Sequence, residues 1–257
     1  MSIQTCYMCN REATSREHAP PRNLFPTSKE GGRDFRKSLI TVPSCDEHNA
    51  SKSKDDEFLM VTLAGIVGNN SIGYQHKLTK VDRAIRRTAG RLIDAVVIKN
   101  KSKHRLVLED NKFIDVIWGT PDAKRMRFCF DHIARALHYH HFNKQFDGEV
   151  RIMLGYLFHS DKNSRTWVDF IRDRASLDLT DKKRLGENPE VFYFQVSDVD
   201  EHGIFMMRLC FYGGVVVYAA FIPSTSTLPT HIGTELIRAG IKTVITLGDK
   251  GYEFNGD

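Results

Sequence analysis

Two short stretches near the start of the chain carry residues that could do metal chemistry. Cys6 and Cys9 form a CxxC pair, and Cys45 with His48 forms a CxxH pair, with 35 residues between Cys9 and Cys45. Zinc prefers four thiolate or imidazole ligands in a tetrahedron, and two residues between ligands lets one tight turn present both to the ion. Two such half-sites make a closed structural site. A lone CxxC would suit a redox motif as well, but no thioredoxin-like βαβ pattern surrounds this one. Glu17 and His18 lie between the two pairs, and Asn49 follows the last candidate ligand directly. Taken alone, a Glu-His dipeptide is most simply a surface pair.

A strand, a polar loop, a second strand and a helix are the elements expected to position these residues. "ATSREHAPP" suits a short extended segment that Pro20 and Pro21 terminate, and "KSLITVPS" supplies a second strand over Leu39 to Val42. Ser44 and Glu47 have the spacing of a capping box that starts a helix. On that helix Cys45 and His48, at i and i+3, can face one ion. Asn49 then points about 100° away from His48 and is left for other work.

In this order, "CYMC", "REHAPP" and "VPSCDEHNASKSKDD" resemble the zinc-knuckle subgroup of the HNH endonucleases, which have a ββα-metal fold. The resemblance covers about residues 4 to 58. It implies a structural zinc on Cys6, Cys9, Cys45 and His48, and His18 as the general base that takes a proton from an attacking water. It also implies that Glu17 and Asn49 hold one divalent cation, Mg²⁺ or Mn²⁺, a hard ion suited to oxygen ligands. Lys52, Arg16 and Arg22 would bind phosphates near the scissile bond, with plain surface charge as the other reading. This chain has Glu17 where many members have aspartate, Ser53 where many have a further histidine, and His48 where the commoner fourth ligand is cysteine. The activity implied is hydrolysis of DNA phosphodiester bonds, leaving 5′-phosphate and 3′-hydroxyl ends, in a setting such as restriction, phage defence or mobile-element biology.

Outside that stretch, charge and periodicity are the guides. The formal net charge of +5 is too small to identify a polyanionic partner, so its distribution matters more. Residues 1 to 60 carry nine Lys/Arg against nine Asp/Glu, whereas residues 80 to 105 carry nine basic residues against Asp82 and Asp94. From Lys80 to Ile98, Val81, Ile85, Leu92 and Val96 fall on one helical face, with Lys80, Arg83, Arg87 and Arg91 opposite. An amphipathic helix is expected whose basic stripe is either a solvated face or, through Arg83, Arg87 and Arg91, a nucleic-acid contact. Two alternating runs, "HRLVLED" and "KFIDVIW", precede a long helix that Thr120 and Pro121 would start. Its core stripe would be Met126, Phe130, Ile133 and Leu137, with His140 and His141 flanking the stripe and His138 turned away. No carboxylate or cysteine stands at ligand spacing from these histidines, so hydrogen-bonded imidazoles are expected rather than a metal site.

Later segments read as strands: "VRIMLGYLFH", "VFYFQVS" and "IFMMRLCFYGGVVVYAAFI", the last with a hairpin turn at Gly213-Gly214. A helix is expected near "SRTWVDFIRDR". Cys129 and Cys210 sit among apolar neighbours and are expected as buried thiols, and five cysteines so placed are no disulfide framework. No apolar leader stands at the N-terminus and no run approaches the ~18 apolar residues of a spanning helix, so a soluble, cytoplasmic protein is expected.

The expected fold class is α+β. A zinc-stabilised ββα-metal module over residues 1–64 would be joined by a linker at 65–75 to a larger α+β domain with an antiparallel sheet at 76–257. That domain would serve specificity, regulation or homodimerisation. DNA is the expected partner, with RNA as the alternative substrate. A different class of function, a catalytically silent zinc-dependent nucleic-acid clamp led by the basic helix, would bind with strong salt dependence and cut nothing.

Overall fold

The structure, a computed structural model, describes residues 4–50, 52–107, 113–226 and 230–256. Strand β1 (Ser15–His18) ends at the two prolines and pairs antiparallel with β2 (Thr41–Ser44), Glu17 opposite Val42 and His18 opposite Thr41. The second strand thus begins two residues later than expected. Leu39 and Ile40 pack against the core beside the ladder, so their apolar character reports burial rather than strand position. Between the strands run a 3-10 turn (Arg22–Leu24) and α1 (Ser28–Gly31), which a Thr27/Glu30 capping box starts.

Helices α2 (Asp46–Ala50) and α3 (Ser53–Ala64) follow β2 directly. The last seven residues of α3, Phe58 to Ala64, are all buried, so this part of the helix is enclosed on every side. The Ser44 hydroxyl, expected to cap α2, turns inward and donates to Glu17 Oε2 at 3.4 Å.

The expected linker contains a turn and then α4 (Ser71–His76), which runs through a π-helical turn (Lys77–Val81) into α5 (Asp82–Arg87). The single amphipathic helix expected over Lys80 to Ile98 is broken. Ala89 and Gly90 both take positive φ (49° and 85°), a left-handed conformation that glycine adopts freely and that no α-helix accommodates. Helix α6 (Arg91–Val96) starts afresh after the break, so Arg91 leaves the line of Arg83 and Arg87.

Strands β3 (Val97–Val107) and β4 (Phe113–Pro121) form a separate two-stranded hairpin. Helix α7 (Ala123–Phe142) starts two residues after Pro121, with Asp122 as N-cap accepting from the Arg125 N–H, because Thr120 and Pro121 belong to β4. A five-stranded antiparallel sheet of order β5-β9-β8-β7-β6 is built from β5 (Gly148–Leu154), β6 (Leu185–Asn188), β7 (Phe192–Val196), β8 (Phe205–Phe211) and β9 (Val215–Pro223). Helix α8 (Lys162–Asp178) connects β5 to β6, and the β8–β9 turn falls at Gly213-Gly214 as expected. The C-terminal part adds α9 (Thr230–Arg238) and the hairpin β10 (Thr243–Leu247) with β11 (Lys250–Phe254).

Mixed helix and antiparallel sheet make the fold α+β. One continuous core joins Tyr7, Phe58 and Leu63 at the front of the chain to Met126, Phe130 and Leu137 of α7 and to Phe211 and Phe221 of the sheet. Long-range hydrogen bonds reinforce it: Tyr212 donates its hydroxyl proton to Leu24 O, and Asn188 Nδ2 donates to Lys37 O. Cys129 and Cys210 are buried. Among the described residues no helix is long and apolar enough to cross a membrane.

Candidate metal centre and adjoining cavity

Cys6, Cys9, Cys45 and His48 converge. All four candidate ligand atoms lie within 4.8 Å of one another. His48 Nδ1 stands 3.5, 3.6 and 3.2 Å from the sulfurs of Cys6, Cys9 and Cys45, and the Cys9 and Cys45 sulfurs are 3.8 Å apart. A tetrahedral zinc with ordinary bond lengths has S···S edges of about 3.8 Å and S···N edges of about 3.6 Å. The spacing therefore fits, and the group could hold a metal such as zinc. Burial opposes ionisation of the Cys45 thiol, but the His48 N–H and ring and the neighbouring thiols outweigh it and bring its pKa to about 7. That favours the thiolate a metal requires.

The knuckle is held from outside. Gln145, just beyond α7, donates from Nε2 to the carbonyls of Cys6 (2.6 Å) and Cys9 (2.8 Å), and His132 of α7 packs its ring near that of His48. Nothing in the sequence around Gln145 marks it, because the contact spans 139 residues.

Glu17, His18, Asn49, Lys52, Arg16 and Arg22 all line a single cavity of about 410 Å³. Glu17 is buried at 9% exposure. Its Oε1 is in ion-pair contact with Lys52, which also donates to the buried Tyr7 hydroxyl at 2.8 Å. Burial and the Glu17 carboxylate together push the Tyr7 phenol far up, so it is neutral and able to donate. His18 is half-buried, and burial with the Arg22 guanidinium lowers its pKa, which favours the neutral ring. Asn49 Nδ2 donates to Ser15 Oγ at 2.8 Å, which fixes the amide and leaves its carbonyl oxygen as the atom able to face a cation.

A carboxylate and an amide oxygen are hard donors of the kind Mg²⁺ accepts, so the chemistry of Glu17 and Asn49 suits such an ion. Lys52 is the qualification: any ion bound to Glu17 shares that carboxylate with an ammonium already in contact.

Sequence reasoning missed Asp56 on α3, which lines the same cavity. Burial, with help from Glu17 and Asp55 and against Lys52, pushes its carboxyl up to about 6. Arg36 and Lys80 were missed at this cavity too, although Lys80 belonged to the basic stripe. Arg83 and Arg87 line a second cavity of about 560 Å³ that shares Asn23 and Lys80 with the first. Both are mostly exposed and ion-paired, Arg83 to Glu30 and Arg87 to Glu57. Arg91 lines neither cavity; its Nε donates to Thr88 O beyond the helix break.

The histidines of α7 form no metal group. Among the described residues only the Cys6-Cys9-Cys45-His48 group has metal-ligating geometry. His138 is buried rather than turned away, stacked on Phe205 and Phe221 with Nδ1 bonded to Lys144 O, because the sheet covers more of α7 than one stripe. No protein-family model, no curated protein and no solved structure matches this chain.

Proposed function

We propose that the Glu17–His18–Asn49 cavity hydrolyses phosphodiester bonds of DNA, as a metal-dependent endonuclease of the HNH kind. The observation that carries this reading is convergence. Residues from β1, α2 and the start of α3 meet in one cavity with surplus positive charge, beside a Cys/His group whose geometry suits zinc. In this reading β1, β2 and α2 are the ββα unit, and a structural zinc on Cys6, Cys9, Cys45 and His48 locks the start of α2 to the CxxC turn. The lock fixes Asn49 relative to Glu17 and His18.

His18 accepts a proton at a ring nitrogen from a water that attacks the phosphorus, and the bond from phosphorus to the 3′-oxygen breaks. The departing oxygen takes a proton from solvent, leaving 5′-phosphate and 3′-hydroxyl ends. A divalent cation held by Glu17 and Asn49 would neutralise charge on the phosphoryl oxygens and the leaving oxygen. Arg16 and Lys52 bring positive charge to the phosphate, Arg16 with its guanidinium tied to Thr41 at 3.0 Å.

The ion pair between Lys52 and Glu17 favours a second reading, a silent nucleic-acid clamp in which the ammonium permanently takes the cation's place. One gel decides between them. Supercoiled plasmid incubated with the zinc-loaded protein and added Mg²⁺ or Mn²⁺ is nicked or linearised if the site is catalytic, and is retarded but intact if it is a clamp. A parallel set with single-stranded RNA tests the substrate.

A further inference from the structure

The same cavity holds cations to which the proposed reaction gives no part. Arg22 comes from the 3-10 turn, Arg36 from the loop before β2, and Lys80 from the π-helical turn before α5, and all three line the same cavity. Their few protein contacts are to backbone carbonyls: Arg36 Nε donates to Phe25 O at 2.8 Å and Lys80 Nζ to Asn23 O at 3.2 Å. Neither bond neutralises a charge. Arg22 is exposed and has no ion-pair partner among the described residues.

The carboxylates nearby are already engaged. Glu30 accepts from the Thr27 N–H at 3.1 Å and pairs with Arg83, while Glu17 is paired with Lys52. Five cations (Arg16, Arg22, Arg36, Lys52, Lys80) therefore line the cavity against two carboxylates, Glu17 and Asp56. Burial and the guanidinium of Arg36, with Arg83 and Arg22 beyond it, lower the pKa of Lys80 against the pull of Glu30, as expected of like charges held together. An anion bound among them would relieve that repulsion.

We propose that Arg22, Arg36 and Lys80 form a separate subsite for a backbone phosphate of nucleic acid, neighbouring the phosphate held at Glu17, His18 and Asn49. The assignment rests on reading the cavity as a phosphodiester site and goes beyond it by naming what holds the flanking strand. From Lys80 the second cavity continues the path past Lys54, Arg83 and Arg87, so the backbone leaves the reacting phosphate along α5. Diesters rather than free phosphate are the ligand, because these cations share one cavity with Glu17, His18 and Asn49, and Lys80 also lines the second cavity. Guanidinium pairs suit phosphate oxygens bidentately, and lysine adds a point charge.

The test measures binding separately from cleavage. Zinc-loaded protein without added magnesium is titrated against a fluorescent duplex over a range of salt, for the wild type, Arg22→Gln/Lys80→Gln and the distant control Lys183→Gln. Arg22 is exposed and Lys80 half-buried, so the double variant keeps the fold, and circular dichroism confirms it. Expected for the double variant are affinity weaker by on the order of tenfold and a log–log salt slope shallower by about one. Lys183→Gln binds as the wild type does. Unchanged affinity and slope in the double variant overturn the subsite, as does a wild type that binds no duplex. Inorganic phosphate at matched ionic strength is the remaining arm: if it displaces the duplex efficiently, the ligand is free phosphate and the assignment to a diester falls. Binding lost in the double variant while the wild type fails to cut leaves the subsite standing and removes only the nuclease reading.

Discussion

At the scale of single residues, the pair Glu17–Lys52 decides most. Both side chains are about nine-tenths buried, and each is the other's main charge partner. Removing one member of such a pair leaves an uncompensated buried charge, which costs about 3–5 kcal/mol. Lys52→Met is therefore expected to lower stability by about that much in zinc-loaded protein without magnesium. Added Mg²⁺ is expected to restore part of the loss, since the freed carboxylate has gained room for a cation. Chemical denaturation with and without Mg²⁺ reads both effects. A Lys52→Met protein as stable as the wild type, or one indifferent to Mg²⁺, would mean that Glu17 is not a cation ligand in waiting. The chemistry-bearing types at this scale were legible because Cys-x-x-Cys, Cys-x-x-His, Glu-His and the following Asn are local signals. Asp56, Arg36, Lys80 and Gln145 were not, because each acquires its role from groups brought close by folding.

At the scale of elements, α7 shows what periodicity conveys and where it stops. Met126, Phe130, Ile133 and Leu137 recur at helical spacing and are buried as expected. His138 lies off that stripe in the helical pattern, yet it is fully buried because the sheet brings Phe205 and Phe221 against it. The break at Ala89-Gly90 was equally hidden, since glycine is permitted within a helical pattern and only its observed φ shows the left-handed turn. Burial of His138, opposed by its bond to Lys144 O and assisted by Lys144, His141 and Arg135, lowers its pKa to about 4. The unfolded chain takes up this proton near pH 6.5 while the folded chain refuses it until about pH 4. Stability is thus undiminished by this group above pH 6.5 and falls by about 1.4 kcal/mol per pH unit between 6.5 and 4. His76, lowered to about 4 chiefly by burial and then by Lys80, adds a similar slope. Urea denaturation from pH 7 to 4.5 should show this dependence, and His138→Phe should make it shallower by about one proton's worth. An unchanged slope in that variant would show that His138 titrates normally.

At the scale of the whole molecule, one core runs from the CxxC turn to the five-stranded sheet, and Gln145 and His132 bring α7 and the loop after it onto the metal group. The expected boundary at 65–75 rested on Gly and Asn content, which marks the turn after α3 but says nothing of what packs across it. Metal binding in such a structure is part of folding free energy. Removing zinc with a chelator is expected to lower the midpoint of a single cooperative transition that includes the sheet. Calorimetry that instead shows a small metal-sensitive transition and a larger insensitive one would make the front of the chain an independent unit.

In the proposed nuclease, His18 performs chemistry that the Cys/His group only positions. Single-turnover cleavage of plasmid DNA in Mg²⁺ by the wild type and by His18→Ala, with zinc content and melting temperature measured on the same samples, tests it most directly. Expected in the variant is a rate lower by on the order of 10²–10⁴-fold, with zinc and melting unchanged. Equal rates in the two proteins would contradict it.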